Sequence, residues 1–324
     1  MTHTARTEPP ADAVPGGTEP EPDVRTAAIG AVARTRAQGL HYYGQVLDMT
    51  VSPPADGPLR PYLAPDRCVT PGHVPPVAVA VAADLAMGSA VRAAVGAGRR
   101  LGTTSMTLHH LCPGVTAPVR TAASVVWLDA DRRNGLARAD LTDATGTLVG
   151  AAQGWFMALP VPEGVTLRLL PWELDDLPAV PDLAHEDLRE DERAAVDATL
   201  RAGERARAHG TSVSAELTAL TWDDTAEGTA RGSLRIGPEL GNRVGHVQGG
   251  ALYGIGLAAA ARAVGPGFAP ADGHWQFLRP GDGELLVAEA SVSRLGRKAA
   301  FACVRLTTDG RPAGAGQFAF RPQS

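Results

Sequence analysis

Two segments of this chain constrain the fold more than any other. VAVAVAADLAMGSAVRAAV, Val77 to Val95, and ALYGIGLAAAARAV, Ala251 to Val264, have helix-compatible composition and are apolar nearly all round. A helix of that kind has no face for water and must be surrounded by other elements. The apolar runs themselves, Val77 to Met87 and Ala251 to Val264, are shorter than a bilayer requires, so burial inside a protein core is the expectation.

What can surround them follows each helix in the sequence. After the first come four strand-like stretches: TTSMTLHHL, PVRTAASVVWLDA, GLARADLTD and TLVGAAQGWFMAL. Asn134-Gly135, between the second and third, signals a hairpin turn. After the second helix come ADGHWQFLRP, ELLVAEASVSRL, KAAFACVRLTTDG and RPAGAGQFAF. The two series are copies. MTLHHLCPG matches HWQFLRPG, with Pro280 standing 167 residues after Pro113, and VGAAQGWF matches AGAGQFAF, with Gln317 standing 164 after Gln153. An internal repeat of this kind implies two similar units, in each of which the antiparallel strands can curl around the preceding helix. The chain divides into residues 1–23 as a Pro/Glu/Thr-rich disordered tail, a first unit at 24–160, an acidic, proline-rich linker at 161–184, and a second unit at 185–324. Each unit opens on a helix. In the first, AAIGAVARTRAQG is followed by a strand-like LHYYGQVLDMTV; in the second, LREDERAAVDATLRAGERARAHG is followed by a strand-like TSVSAELTALTWDD.

Composition narrows the function classes. A net charge of −5 gives no footprint for nucleic acid or an anionic membrane. Three scattered cysteines, Cys68, Cys112 and Cys303, form neither a disulfide framework nor a zinc motif, which favours a reducing cytoplasmic setting without a metal.

The sequence NRVGHVQGG, Asn242 to Gly250, together with FLRPG at Phe277 to Gly281, resembles the double-hotdog members of the acyl-CoA thioesterase superfamily, in the branch that includes phenylacetyl-CoA thioesterases. The resemblance covers about residues 24 to 322 and implies an α+β fold, a tandem double hotdog. It also implies a site between two units. One unit supplies a glycine loop with Asn and usually His; the other supplies an Asp on its helix and a Ser or Thr on the following strand. On that pattern the second half has the loop set, Asn242, Gln248, Gly249 and Gly250, but carries Leu257 and Pro270 at the acid and hydroxyl positions. The first half is complementary: Asp84 and Thr103 occupy the acid and hydroxyl positions, while Val69, Pro75 and Pro76 replace the loop set, and Pro76 has no N–H. One composite site is complete and the other has lost every polar element.

The implied activity is hydrolysis of an acyl-CoA or acyl-carrier-protein thioester, with coenzyme A present only as part of the substrate, by a homo-oligomer (dimer or trimer of double hotdogs). Asp84 would act as general base or nucleophile. The Gly249 N–H would polarise the carbonyl from a helix N-terminus. Thr103 would hold water, and Asn242 and Gln248 would orient the carbonyl or the loop. Gly250, His246 and His109 are candidates for substrate contact. Gln248 departs from the usual histidine: it can donate a hydrogen bond but cannot carry a proton. Two other readings stand beside this one. A hotdog dehydratase or hydratase acting on 3-hydroxyacyl thioesters would use His246 with Asp84. GHVPPV at Gly72 to Val77 is similar to a dehydratase motif, but the spacing after it and the eleven residues from His73 to Asp84 do not fit. A non-catalytic acyl-thioester binding protein would need no base. Arg99-Arg100 and Arg297-Lys298 fit solvated turns better than coenzyme A phosphate sites, and Trp127, Trp155 and Trp275 fit core or interface positions.

Overall fold

The computed structural model describes residues 23–51, 61–63, 74–96 and 98–323; the tail through residue 22, and with it Val69 and His73, lies outside the described residues. The apolar helices are α3 (Pro76–Val95) and α6 (Gly249–Val264). The strands form one twelve-stranded antiparallel sheet in the order β1-β2-β4-β5-β6-β3-β9-β12-β11-β10-β8-β7. The first half contributes β1 (Met49–Val51), β2 (Pro61–Leu63), β3 (Arg100–His110), β4 (Val119–Leu128), β5 (Asn134–Thr142) and β6 (Leu148–Leu159). The second contributes β7 (Thr221–Trp222), β8 (Thr229–Arg235), β9 (Phe268–Phe277), β10 (Leu285–Leu295), β11 (Ala300–Thr308) and β12 (Arg311–Pro322). Read from its centre outward, the order is the same in both directions.

That centre is the β3–β9 pair. Thr107 stands opposite His274, and the two are 167 residues apart, so repeat-equivalent positions face each other across a pseudo-two-fold axis. Thr107 Oγ1 and His274 Nδ1 lie 2.9 Å apart there. Helix α3 packs against β3, β4, β5, β6 and α6, while α6 packs against β8 to β12. Helix α3 reaches Val95, farther than the apolar run in the sequence, and is long and apolar enough to cross a membrane; here 67% of its most apolar window is buried inside the protein. Glycines set how closely the two helices approach. A Cβ on Gly250 would lie 2.5 Å from Val81 Cα, and one on Gly254 would lie 2.4 Å from Val77 Cγ2. Next to α6, the second half is filled by Trp275, Tyr253 and Phe318, with Tyr253 edge-on to Phe318 at 5.3 Å.

Three local expectations change. LHYYGQVLDMTV is not one strand: Tyr42–Val46 forms α2, capped by the His41 imidazole, and only Met49–Val51 is extended. Alternation fails there because Tyr42 to Val46 are buried without a break. TSVSAELTALTWDD behaves alike, with Ser212 capping α5 (Val213–Leu217) ahead of the two-residue β7. The opening helices themselves, α1 (Val24–Gln38) and α4 (Glu190–His209), form as expected and pack on each other. Asn134 and Gly135 lie inside β5, opposite Met157 and Phe156, so the turn precedes them. It is closed by Asp129, whose carboxylate accepts from the N–H groups of Arg133 and Asn134, with Arg132 in the left-handed region at φ 53°. Trp275 is core, whereas Trp127 and Trp155 sit about half exposed, edge to face at 5.4 Å.

Candidate active site

Thr103 and Asp84 meet because of one irregularity in β3. From Met106 to His110 the even-numbered side chains are buried. Strict alternation would therefore turn Thr103 outward. Thr104 is an extra residue in the pairing, since Thr103 faces Phe156 and Ser105 faces Trp155. This bulge flips the parity and turns Thr103 toward α3, where its hydroxyl donates to Asp84 Oδ1 at 2.7 Å. The second half keeps a bulge at the equivalent place, between Asp272 and Pro270, but Pro270 has no hydroxyl to present.

Asp84 lies where α3 passes the N-terminus of α6. Gln248, the N-cap of α6, accepts from the Ala251 N–H through Oε1 at 2.8 Å and donates from Nε2 to Asp84 Oδ2 at 2.9 Å. The cap fixes which way the amide faces: with Oε1 on the helix, only the NH2 can meet the carboxylate. The Gly250 N–H also donates to Asp84. Burial among apolar side chains pushes the Asp84 carboxyl up to about 6, against the downward pull of Thr103, Gly250 and Gln248. Of the first N–H groups of α6, Gly250 serves Asp84, Ala251 serves Gln248 and Leu252 bonds the Gln248 carbonyl. Only the Gly249 N–H has no acceptor among the described residues, and Gly249 lines a cavity. A Cβ at Gly249 would lie 2.8 Å from Asp84 Oδ2.

The cavity measures about 410 Å³ and is walled by both halves and by the segment joining them. Asp84, Thr103, Asn242, His246, Gln248 and Gly249 all line it. Asn242 serves the loop: its Oδ1 accepts from the N–H groups of Val244 and His246 at 2.9 and 3.1 Å. Burial, and then Arg100, hold the His246 imidazole below its usual range. The side chains bonded to Asp84 are Thr103 and Gln248, so the His246–Asp84 pair of the dehydratase reading does not form.

Two candidates for substrate contact fall elsewhere. Gly250 is packed on the Val81 backbone and spends its N–H on Asp84, so it is a helix-contact position rather than part of the cavity wall. His109 is on the outer face of the sheet, exposed and 3.9 Å from Asp272, because β3 alternation turns its neighbour His110 inward instead. His110 is buried against the Tyr253 hydroxyl at 3.2 Å, outside the cavity. Sequence reasoning passed over His41, Arg92 and Arg243, which line the same cavity. Arg92 carried a signal: it stands eight residues after Asp84, on the same stripe of an Ala/Val helix.

Residues 238–321 match the acyl-CoA thioesterase N-terminal domain family. No curated protein matches the sequence significantly. Among solved structures, the chain is similar to the tesB protein of Mycobacterium avium subsp. paratuberculosis, with 14% identity and a TM-score of 0.51 over 87% of this chain and 98% of that one. It is also similar to a protein of Thermobifida fusca assigned as a thioesterase II, with 10% identity and a TM-score of 0.52 over 89% of this chain and 100% of that one. With one helix and one half of the sheet in each repeat, the chain has the fold of a tandem double hotdog, and its second repeat, over residues 238–321, is similar to the acyl-CoA thioesterase N-terminal domain family.

Proposed function

We propose that the protein hydrolyses an acyl thioester, of coenzyme A or of an acyl carrier protein, at a single composite site between its halves. One observation carries this reading: Asp84 from α3 is held by Thr103 from β3 and by Gln248 from the facing α6, beside the unclaimed Gly249 N–H.

The roles follow from the donor count. An ionised carboxylate has about four lone-pair sites. Thr103, Gln248 and Gly250 fill three of them, which supports general base rather than nucleophile for Asp84. The remaining site takes a proton from a water molecule, whose other hydrogen can be accepted by the Thr103 oxygen. The resulting hydroxide oxygen adds to the thioester carbon while the Gly249 N–H stabilises the oxygen that becomes negative, a donor worth roughly 3–4 kcal/mol in the transition state. Collapse of the tetrahedral intermediate breaks the carbon–sulfur bond, and the proton on Asp84 goes to the departing thiolate. Gln248 needs no proton of its own in this scheme. It positions Asp84 and caps the helix that carries Gly249. A cytoplasmic setting and further pairing through the exposed Trp127–Trp155 face belong to the same proposal.

Thiol release from a panel of acyl-CoAs tests the reading. Asp84→Asn should lower kcat by a factor of about 10² or more while the protein stays folded. Undiminished turnover in that variant, or water loss from a 3-hydroxyacyl-CoA with the thioester intact, would overturn it.

A further inference from the structure

The end of the cavity away from the Asp84 carboxylate is polar, and nothing in the hydrolytic scheme uses it. Asp84, Gly88 and Arg92 line the cavity from successive turns of α3, which places the Arg92 backbone about 12 Å along the helix from Asp84. Arg92 is 4% exposed. Its Nε donates to Glu173 Oε1 at 2.6 Å and its Nη1 to the Arg99 carbonyl at 3.3 Å, yet Nη2 is buried without a partner among the described residues. His41, 5% exposed, repeats the pattern. Its Nδ1 accepts from the Gly44 N–H at 2.9 Å, so the ring hydrogen sits on Nε2, which is also buried without a partner. Burial, and then Arg243, push the His41 pKa down to about 3, so the ring is neutral. Arg243 reaches this end from the loop before α6, where it donates to the Arg168 carbonyl. Burial followed by the charge of Arg92 lowers its pKa to about 10, which leaves it cationic at neutral pH.

Two guanidinium groups therefore share one carboxylate, Glu173, and two of the residues lining the cavity, Arg92 and His41, each hold a buried donor without a partner among the described residues. Buried donors without acceptors are destabilising, and excess positive charge in such a place selects an anion. A carboxylate, with two coplanar oxygens, suits a guanidinium edge. The walls between the two polar ends are apolar, including Leu85, Leu101, Phe156, Leu170 and Leu252. The rim is different: Leu278, Arg279 and Pro280 are exposed, and that is where a phosphate-bearing carrier would remain in water.

Building on the thioesterase reading, we propose that the cavity is made for the monothioester of a dicarboxylic acid. The thioester lies at Gly249 and Asp84, the methylenes lie along the apolar wall, and the far carboxylate accepts from Arg92, Arg243 and the His41 Nε2–H.

The test compares adipyl- and suberyl-CoA with hexanoyl- and octanoyl-CoA, which differ from them only at the far end of the chain. Calorimetric binding to the Asp84→Asn protein should favour the dicarboxylic series by roughly tenfold or more. Hydrolysis by the unmodified protein should show the same preference in kcat/KM. Arg243→Met and His41→Asn should each erase most of this preference, read as the ratio of dicarboxylic to monocarboxylic kcat/KM; asparagine keeps an acceptor for the Gly44 N–H, and circular dichroism checks the fold. Equal binding of the two series overturns the proposal. So does an Arg243→Met variant weakened equally for both series, since that places carrier phosphates at this end. Hydrolysis without preference defeats this inference alone, whereas preferential binding without hydrolysis defeats the thioesterase reading and leaves the carboxylate site standing.

Discussion

Asp84→Asn has a consequence for stability that is separate from catalysis. The folded state holds the Asp84 carboxyl at about 6, against an ordinary aspartate value of 3.8, chiefly because burial disfavours the charged form. At about 1.4 kcal/mol per pH unit, that gap amounts to about 3 kcal/mol. The sign runs against the usual salt-bridged aspartate. Below about pH 4 both folded and unfolded states keep the proton. Between about 4 and 6 the unfolded chain releases it and the folded protein does not, so the folded state binds more protons and stability falls as pH rises. Above about 6 both states are ionised and the full destabilisation is in place. Asparagine has no such titration and suits the site: its oxygen can accept from Gln248 Nε2, and its NH2 can donate to the Thr103 oxygen.

The stability of the variant relative to the parent should therefore rise by about 3 kcal/mol between pH 3 and pH 7. His41 and His110, held down to about 3 and about 4 by burial, titrate through the same range but cancel in the comparison. Urea unfolding of both proteins at each pH measures it. A chain of this size should show the effect as several degrees in Tm. A difference between the two proteins that does not change with pH would refute the argument, because the carboxylate could not then be desolvated as the geometry requires.

Gln248→Ala removes a helix cap, costing about 1 kcal/mol, and a hydrogen bond to a charged group, costing about 1.5–3 kcal/mol. The lost donor favoured the ionised form of Asp84, so the acid limb of kcat/KM, expected near pH 6, should move to higher pH; an unmoved limb would contradict the assignment. Gly249→Ala sets a Cβ 2.8 Å from Asp84 Oδ2, which the held carboxylate must move to accommodate, and should lower kcat by about 10²–10³, a far larger effect than on Tm. Gly254→Ala drives a Cβ into Val77 and should do the reverse, costing about 1–3 kcal/mol in stability while kcat per folded molecule holds.

The helices and the repeat were open to sequence reading because both are periodic. An all-apolar helix has one environment available to it, and a 167-residue offset puts Thr107 opposite His274 without further information. The complementary loss of polar residues likewise brought Asp84 and Gln248 together on paper, and they lie 2.9 Å apart in the fold. What stayed hidden depends on single residues that break a period. Thr103 reaches Asp84 only because Thr104 bulges, and no residue type announces a bulge. Which of His109 and His110 turns toward the helix is decided only by the parity of β3, which buries His110 and exposes His109. The role of Gln248 needed the cap: as a donor in isolation it could serve a carbonyl, but with Oε1 on Ala251 its free end belongs to Asp84. His41 was hidden more deeply, since its burial depends on a helix that alternation had disguised as a strand.

The same energetics bear on why one site is complete and its mirror image is not. Burying Asp84 costs about 3 kcal/mol at neutral pH, a large part of what keeps a domain folded. A second carboxylate at position 257, which is 4% exposed, would add a similar burden. Leucine there adds none. Pro75 and Pro76 at the start of α3 remove the competing glycine loop, and the matching bulge in β9 presents Pro270 instead of a hydroxyl. Beside Leu257, Gly256 is packed against the indole of Trp275, which Gly314 and Gly316 also accommodate. In a symmetric pair of identical units, the residues that make a site must appear twice. A fused chain has two different sequences at its two interfaces, so it can carry one desolvated carboxylate and give the other position to core packing.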